Sequence, residues 1–126
     1  MTADVFVSCA NGDLDVVRAL GSGLTERGIR PWVYAPAGGE WEPAILEVIR
    51  VARAVLIAAS PRWEESDNCL RELELARVEG KPVVAVLIDG ALPEPLRAAD
   101  VELIGAGVSA RTLDAIATWL AKPEPA

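Results

Sequence analysis

The residues best placed to do chemistry lie in the run Trp63-Glu64-Glu65-Ser66-Asp67-Asn68-Cys69-Leu70-Arg71-Glu72-Leu73. It follows a continuous apolar segment, Ala54–Ala59, that ends at Ser60-Pro61. A buried strand therefore delivers a helix that carries a carboxylate, Glu72, near its start. Glu72 sits between Leu70 and Leu73, at the border of the apolar stripe. By itself such a glutamate reads as a surface group, and replacing it should cost little stability. Two other segments put unusual residues after apolar runs: Cys9-Ala10-Asn11-Gly12-Asp13 and Ala37-Gly38-Gly39-Glu40-Trp41-Glu42. Gly12, Gly38 and Gly39 are either turn glycines or residues whose open amides hold a phosphate. Trp41 is a ring that stacks on a flat ligand, a plug on its own core, or a self-association contact. The residues alone leave these readings open. Glu64, Glu65, Glu74 and Glu79 read as a solvated face.

Composition removes several chemistries. The chain has no His, so Ser-His-Asp and Cys-His catalysis and His-based zinc sites are excluded. Cys9 and Cys69 are too far apart in sequence for a metal knuckle, no metal site is expected, and both cysteines read as reduced. A net charge of −7 argues against a generic nucleic-acid surface. No segment reaches the roughly 18 apolar residues of a membrane span, and the opening Met-Thr-Ala-Asp lacks a basic region. The expected compartment is the cytoplasm. Gly21-Ser22-Gly23 resembles the start of a dinucleotide fingerprint but falls within a helical pattern rather than after a strand. A phosphate-accepting receiver domain would need an Asp where the chain has Ala58-Ala59-Ser60.

The elements that must position these residues follow from periodicity. Val5–Val7, Ile29–Tyr34, Ala54–Ala59, Pro82–Ile88 and Val101–Ile104 read as strands. Asp13–Arg27 carries Leu14, Val17, Leu20 and Leu24 at helical spacing, and Gly28 is placed to end it. Pro43 suits the first turn of a helix whose apolar face is Ile45, Val48, Ile49 and Ala52. Ser60, Ser66 and Ser109 are each placed to cap a helix, and Gly80 to end one. The alternation predicts a flavodoxin-like, doubly wound, five-stranded parallel sheet with helices on both faces. Ala54–Ala59 should be central and Val101–Ile104 an edge. In such sheets ligands sit beyond the carboxyl ends of the strands, where all three chemical segments emerge. One domain is expected over residues 1–121, with 122–126 a tail or the start of a linker.

Taken together, these runs resemble the TIR (Toll/interleukin-1 receptor) family. The family opens with a D-V-F-I-S-Y type strand, here Asp4-Val5-Phe6-Val7-Ser8-Cys9. Its second-strand pattern is met by Gly28-Ile29-Arg30-Pro31-Trp32-Val33-Tyr34, and its "BB" loop by Gly38-Gly39-Glu40-Trp41, followed by Ile45 and Ile49. The block running through A-x-x-x-(V/I) to S-x-W-C-x-x-E-L is met by Ala52–Ser60, Trp63, Ser66, Asn68, Cys69, Glu72 and Leu73.

The resemblance implies an enzyme. Many TIR domains of bacteria and plants cleave NAD+ at the nicotinamide–ribose bond, and the glutamate of the C-x-x-E-L motif, Glu72 here, is their catalytic residue. The same carry-over makes Cys9, Ala10 and Asn11 the nucleotide-side loop and brings Gly39 and Trp41 over the base or ribose. NAD+ is then a substrate, and no cofactor is implied. The resemblance further implies activation by TIR–TIR self-association, a role as effector of a bacterial defence or cell-death system, and a sensor domain fused after Ala126. A non-catalytic TIR scaffold is the alternative. Four positions depart from the pattern: Cys9 for Tyr, Asn68 for Trp, Ala35 for Asp, and a first loop without Arg or Lys.

Overall fold

The computed structural model describes residues 4–33 and 41–121. The predicted strand residue Tyr34, the Gly38-Gly39 turn and the tail 122–126 lie outside them. The strands are β1 (Val5–Ser8), β2 (Pro31–Val33), β3 (Ala54–Ala59), β4 (Val83–Leu87) and β5 (Val101–Ala106). They form one parallel sheet in the order β2-β1-β3-β4-β5, so β3 is central and β5 is an edge. The helices are α1 (Leu14–Glu26), α2 (Trp41–Val51), α3 (Pro61–Glu64), α4 (Asp67–Val78) and α5 (Ala110–Ala121). Among the described residues no helix is long and apolar enough to cross a membrane.

Two cores sandwich the sheet. Successive strand side chains point to opposite faces, so Phe6, Val55, Ile57 and Ala59 enter one core, with Ile45 and Ile49 of α2, Trp63 of α3 and Leu73 of α4. Val5, Val7, Leu56 and Ala58 enter the other, with Leu20 of α1 and Ile116 of α5. A strand buried on both faces must be apolar throughout, which is why β3 shows no alternation and all six of its residues are buried. Gly23 belongs to the second core: a Cβ there would run into Leu113 of α5. The Gly21-Ser22-Gly23 run is thus a helix-packing feature of α1.

The helix ends follow the sequence chemistry. Gly28 and Gly80 take positive φ, +78° and +68°, after α1 and α4, a conformation nearly free for glycine alone. The Ser60, Ser66 and Ser109 hydroxyls accept from the amides of Trp63, Cys69 and Thr112. Only β3 keeps its expected bounds: β1 gains Ser8 and β4 loses a residue at each end, while β2 and β5 differ by more. β2 starts at Pro31 because Ile29 still donates its N–H to Leu24 O in the turn closing α1. β5 runs on to Ala106, since Gly105 and Ala106 pair with Val86 and Leu87 after a register irregularity that leaves out Ile104.

The chain leaves β1 for β2 on one side and returns to β3 on the other. The carboxyl ends of β1 and β3 therefore flank the topological switch point, where doubly wound sheets bind ligands.

Candidate functional site

At that switch point β1 ends in Ser8, two residues beyond Phe6 and so on the same face. Opposite it, α4 buries Cys69, Glu72, Leu73 and Ala76, a spacing of three, four and seven that makes one helix face. Glu72 is therefore inside the stripe and only 5% exposed. Its Oε1 accepts a 2.6 Å hydrogen bond from Ser8 Oγ, 64 positions away in sequence. Ser8 Oγ in turn accepts from the indole Nε1 of fully buried Trp63 at 3.0 Å. Burial disfavours the charged form, and the Ser8 bond offsets only part of this, so the Glu72 pKa is pushed up to about 7. This corrects the surface reading of Glu72. Glu64, Glu65 and Glu74 are exposed as expected, whereas Glu79 is half-buried in its pair with Arg50.

A second polar cluster borders the first. Asp13, 4% exposed, accepts from Ser60 Oγ at 2.5 Å and from Arg62 Nε at 2.6 Å. Arg62 Nη2 reaches Asp89, just after β4, at 2.9 Å. These bonds tie the ends of β1, β3 and β4 together around the turn Asn11–Asp13. Ser60 serves both clusters, since it also caps α3 and so fixes Trp63.

The predicted site residues fall as follows. Cys9 and Ala10 are buried beside Ser8, while Asn11 is exposed in the adjoining turn. Burial pushes the Cys9 thiol up to about 12, with further increments from Cys69, Glu72 and Asp13. The Cys69 thiol is pushed up to about 11 for the same main reason. Both cysteines are free. Gly39 lies outside the described residues. Trp41 begins α2, but its side chain lies outside them. The structure thus brings Cys9 close enough to Glu72 for their charges to interact.

Ser8, Asp13, Ser60 and Arg62 were not singled out as site residues from sequence. In the sequence Ser8 stands out only as part of the opening strand motif, and Ser60 only as a strand end and helix cap. The missing cation of the first loop has a counterpart: a Cβ on Gly12 would lie 3.1 Å from Arg62 Cδ, so an arginine from α3 covers that loop.

Many families share a doubly wound sheet of this order. The sequence model for the TIR domain matches residues 5–120, and the chain belongs to that family. Among solved structures it is similar to the TIR domain of the Toll-related receptor TRR-2 from Hydra magnipapillata. That match has 20% identity and a TM-score of 0.68, and covers 81% of this chain and 84% of that one. It is also similar to a metazoan TIR-STING receptor from C. gigas, solved in complex with 2',3'-cGAMP. Here identity is 23% and the TM-score 0.74, over 96% of this chain and 40% of the receptor chain. At these identities the likeness is one of fold. No curated protein sequence matches the chain significantly.

Proposed function

We propose that this TIR domain cleaves NAD+ at the nicotinamide–ribose bond, with Glu72 as the carboxylate that meets the ribose. The observation carrying the reading is a carboxylate buried at the switch point and held by one hydrogen bond from Ser8. Nicotinamide leaves as a neutral molecule, because the pair of the broken C–N bond neutralises its cationic ring nitrogen. No general acid is needed. What needs stabilising is the positive charge that develops on the ribose C1 and ring oxygen, together with the ribose hydroxyls. A desolvated carboxylate does both. Water then adds at C1 and loses a proton, giving ADP-ribose, or the adenine of the same molecule attacks and the product is cyclic.

The family motif assigns Cys9, Ala10 and Asn11 to the nucleotide side and Gly39 and Trp41 to closure over base or ribose. We carry these assignments as part of the same proposal. The branch is read as bacterial and the role as effector of a defence or cell-death system, switched on when TIR units assemble. In the C. gigas receptor the matched region is 40% of the chain. That supports reading residues 1–121 as one module that can be coupled to a sensor, with 122–126 either a tail or the start of a linker.

One feature favours the second reading, a scaffold that acts only by TIR–TIR contact. Edge strand β5 leaves Leu103 49% exposed, beside a groove of about 320 Å³ lined by Glu102, Leu103, Ile104, Thr118 and Trp119. Clustering the domain on a surface and measuring nicotinamide release separates the two. Glu72→Gln should lower turnover by about two orders of magnitude, roughly 3 kcal/mol of transition-state stabilisation. Glu79→Gln, in the partly exposed pair with Arg50 after α4 and away from the Ser8–Glu72 contact, should release nicotinamide like the parent. Equal release by the parent and Glu72→Gln refutes the mechanism. No release by any of them, with assemblies intact, leaves the scaffold.

A further inference from the structure

Ser8 stands between two groups of unequal hydrogen-bonding ability. The indole Nε1–H of Trp63 can only donate, whereas a hydroxyl has one proton and two acceptor lone pairs. At 3.0 Å from Nε1, Ser8 Oγ must present a lone pair to it. The single hydroxyl proton is then left for Glu72 Oε1 at 2.6 Å. Trp63 is in turn fixed at both ends, its backbone N–H held by the Ser60 cap at 3.1 Å and its ring fully buried.

We propose that Trp63 and Ser8 form a one-way hydrogen-bond chain that commits Oε1 of Glu72 to accepting and leaves Oε2 as the oxygen that meets the ribose. The proposal rests on the reading of Glu72 as the reacting carboxylate and adds two positioning residues, Ser8 and Trp63, to it. A carboxylate whose two oxygens were equivalent could rotate, take a proton on either one and turn away from the substrate. While Ser8 donates to Oε1, the proton of a neutral Glu72 sits on Oε2, and loss of that proton leaves the charge on the oxygen assigned to the ribose. The chain also opposes desolvation, since a donated hydrogen bond favours the ionised form. Without it, burial would keep Glu72 protonated further into the neutral range.

The other groups around Glu72 leave this assignment intact. Cys9 beyond β1 and Cys69 on α4 are both pushed far above neutrality and remain neutral thiols. The Cys69 sulfur, which also interacts with Ser8, is a weak acceptor and competes poorly with the Glu72 carboxylate for the Ser8 proton. Asp13 is engaged by Ser60 and Arg62. On the outer side of α4, Arg71 pairs with Glu74. From α2 the core receives the apolar Ile45, Val48 and Ile49.

The test is a carbon-13 NMR titration of the Glu72 carboxyl, which needs no turnover. Ser8→Ala should move its midpoint up by about one pH unit, the size of a hydrogen bond to a charged group. Trp63→Phe should move it in the same direction by less, and should have no further effect in the Ser8→Ala background. In the parent, the Trp63 indole N–H resonance should shift with the same midpoint as Glu72, and should lose that titration in Ser8→Ala. This second measurement does not depend on Trp63→Phe folding. An unchanged Glu72 midpoint in Ser8→Ala, or an indole that ignores Glu72 in the parent, overturns the chain. So does an equal effect of Trp63→Phe with and without Ser8, because packing alone would act that way. A Ser8-dependent titration in a protein that releases no nicotinamide would keep the chain and remove the catalytic reading.

Discussion

Replacing Glu72 by Gln should change how stability depends on pH, and by an amount the structure sets. In the unfolded chain Glu72 titrates near 4.5, and in the folded domain near 7. The folded state therefore holds the proton more tightly. Below pH 4.5 the carboxyl is neutral in both states. Between 4.5 and 7 the unfolded chain has released its proton and the native state has not, so stability falls as pH rises. The span is about 2.5 pH units at about 1.4 kcal/mol each, or roughly 3 kcal/mol, lost by the time pH passes the folded pKa. A domain of this size is stable by only about 5–15 kcal/mol, so the effect is a large share of the total.

Gln keeps an acceptor oxygen for Ser8 but cannot ionise. Whatever its buried amide costs does not vary with pH, and the other titrating groups cancel between parent and variant. Urea unfolding of both proteins from pH 4 to 9 gives the difference directly. The parent should lose about 3 kcal/mol relative to Glu72→Gln between pH 4.5 and 7 and then level off. A difference that stays flat across this range would mean that Glu72 is solvated, and the argument from burial would fail. The small, pH-independent cost expected of a surface glutamate gives that flat line.

Two further outcomes test the surroundings of the site. Asp13→Ala removes the acceptor of the Ser60 hydroxyl and one partner of Arg62, and should destabilise by about 2 kcal/mol. Asp89→Ala, which breaks only the exposed arm of the same network, should cost less than about 0.5 kcal/mol by urea unfolding; equal costs would contradict the burial of Asp13. Cys9 and Cys69, buried thiols pushed up to about 12 and about 11, should resist a thiol reagent at pH 8 in the native state and react at once in denaturant. Rapid stoichiometric labelling of the native domain would count against both placements.

Much of the fold was legible because its signals are local. A six-residue apolar run such as Ala54–Ala59 has to be shielded on both faces, so its central place in a parallel sheet follows from the run itself. Ser60, Ser66 and Ser109 cap their own helices within three residues, and Gly28 and Gly80 end helices through backbone freedom alone. The edge strands were read less well, since their ends depend on partners. β5 continues to Ala106 only because Val86 and Leu87 are there to pair with it, and Ile29 is held back by a carbonyl of α1.

The position of Glu72 in a motif could be read from the chain, and its state could not. Periodicity places residue 72 at the border of a stripe, but depth depends on what the rest of the fold lays against that stripe. Ser8 comes from the first strand and Trp63 from a separate short helix, and only the assembled fold links them in series to one carboxylate. The same holds for Asp13, Ser60, Arg62 and Asp89, gathered from the ends of three strands. The sequence by itself determined the order of the elements, their caps and which residue types reach the switch point. The tertiary structure decided which of them lose water and which hydrogen bond each receives, because desolvation and hydrogen bonding act through space between segments that sequence spacing does not connect.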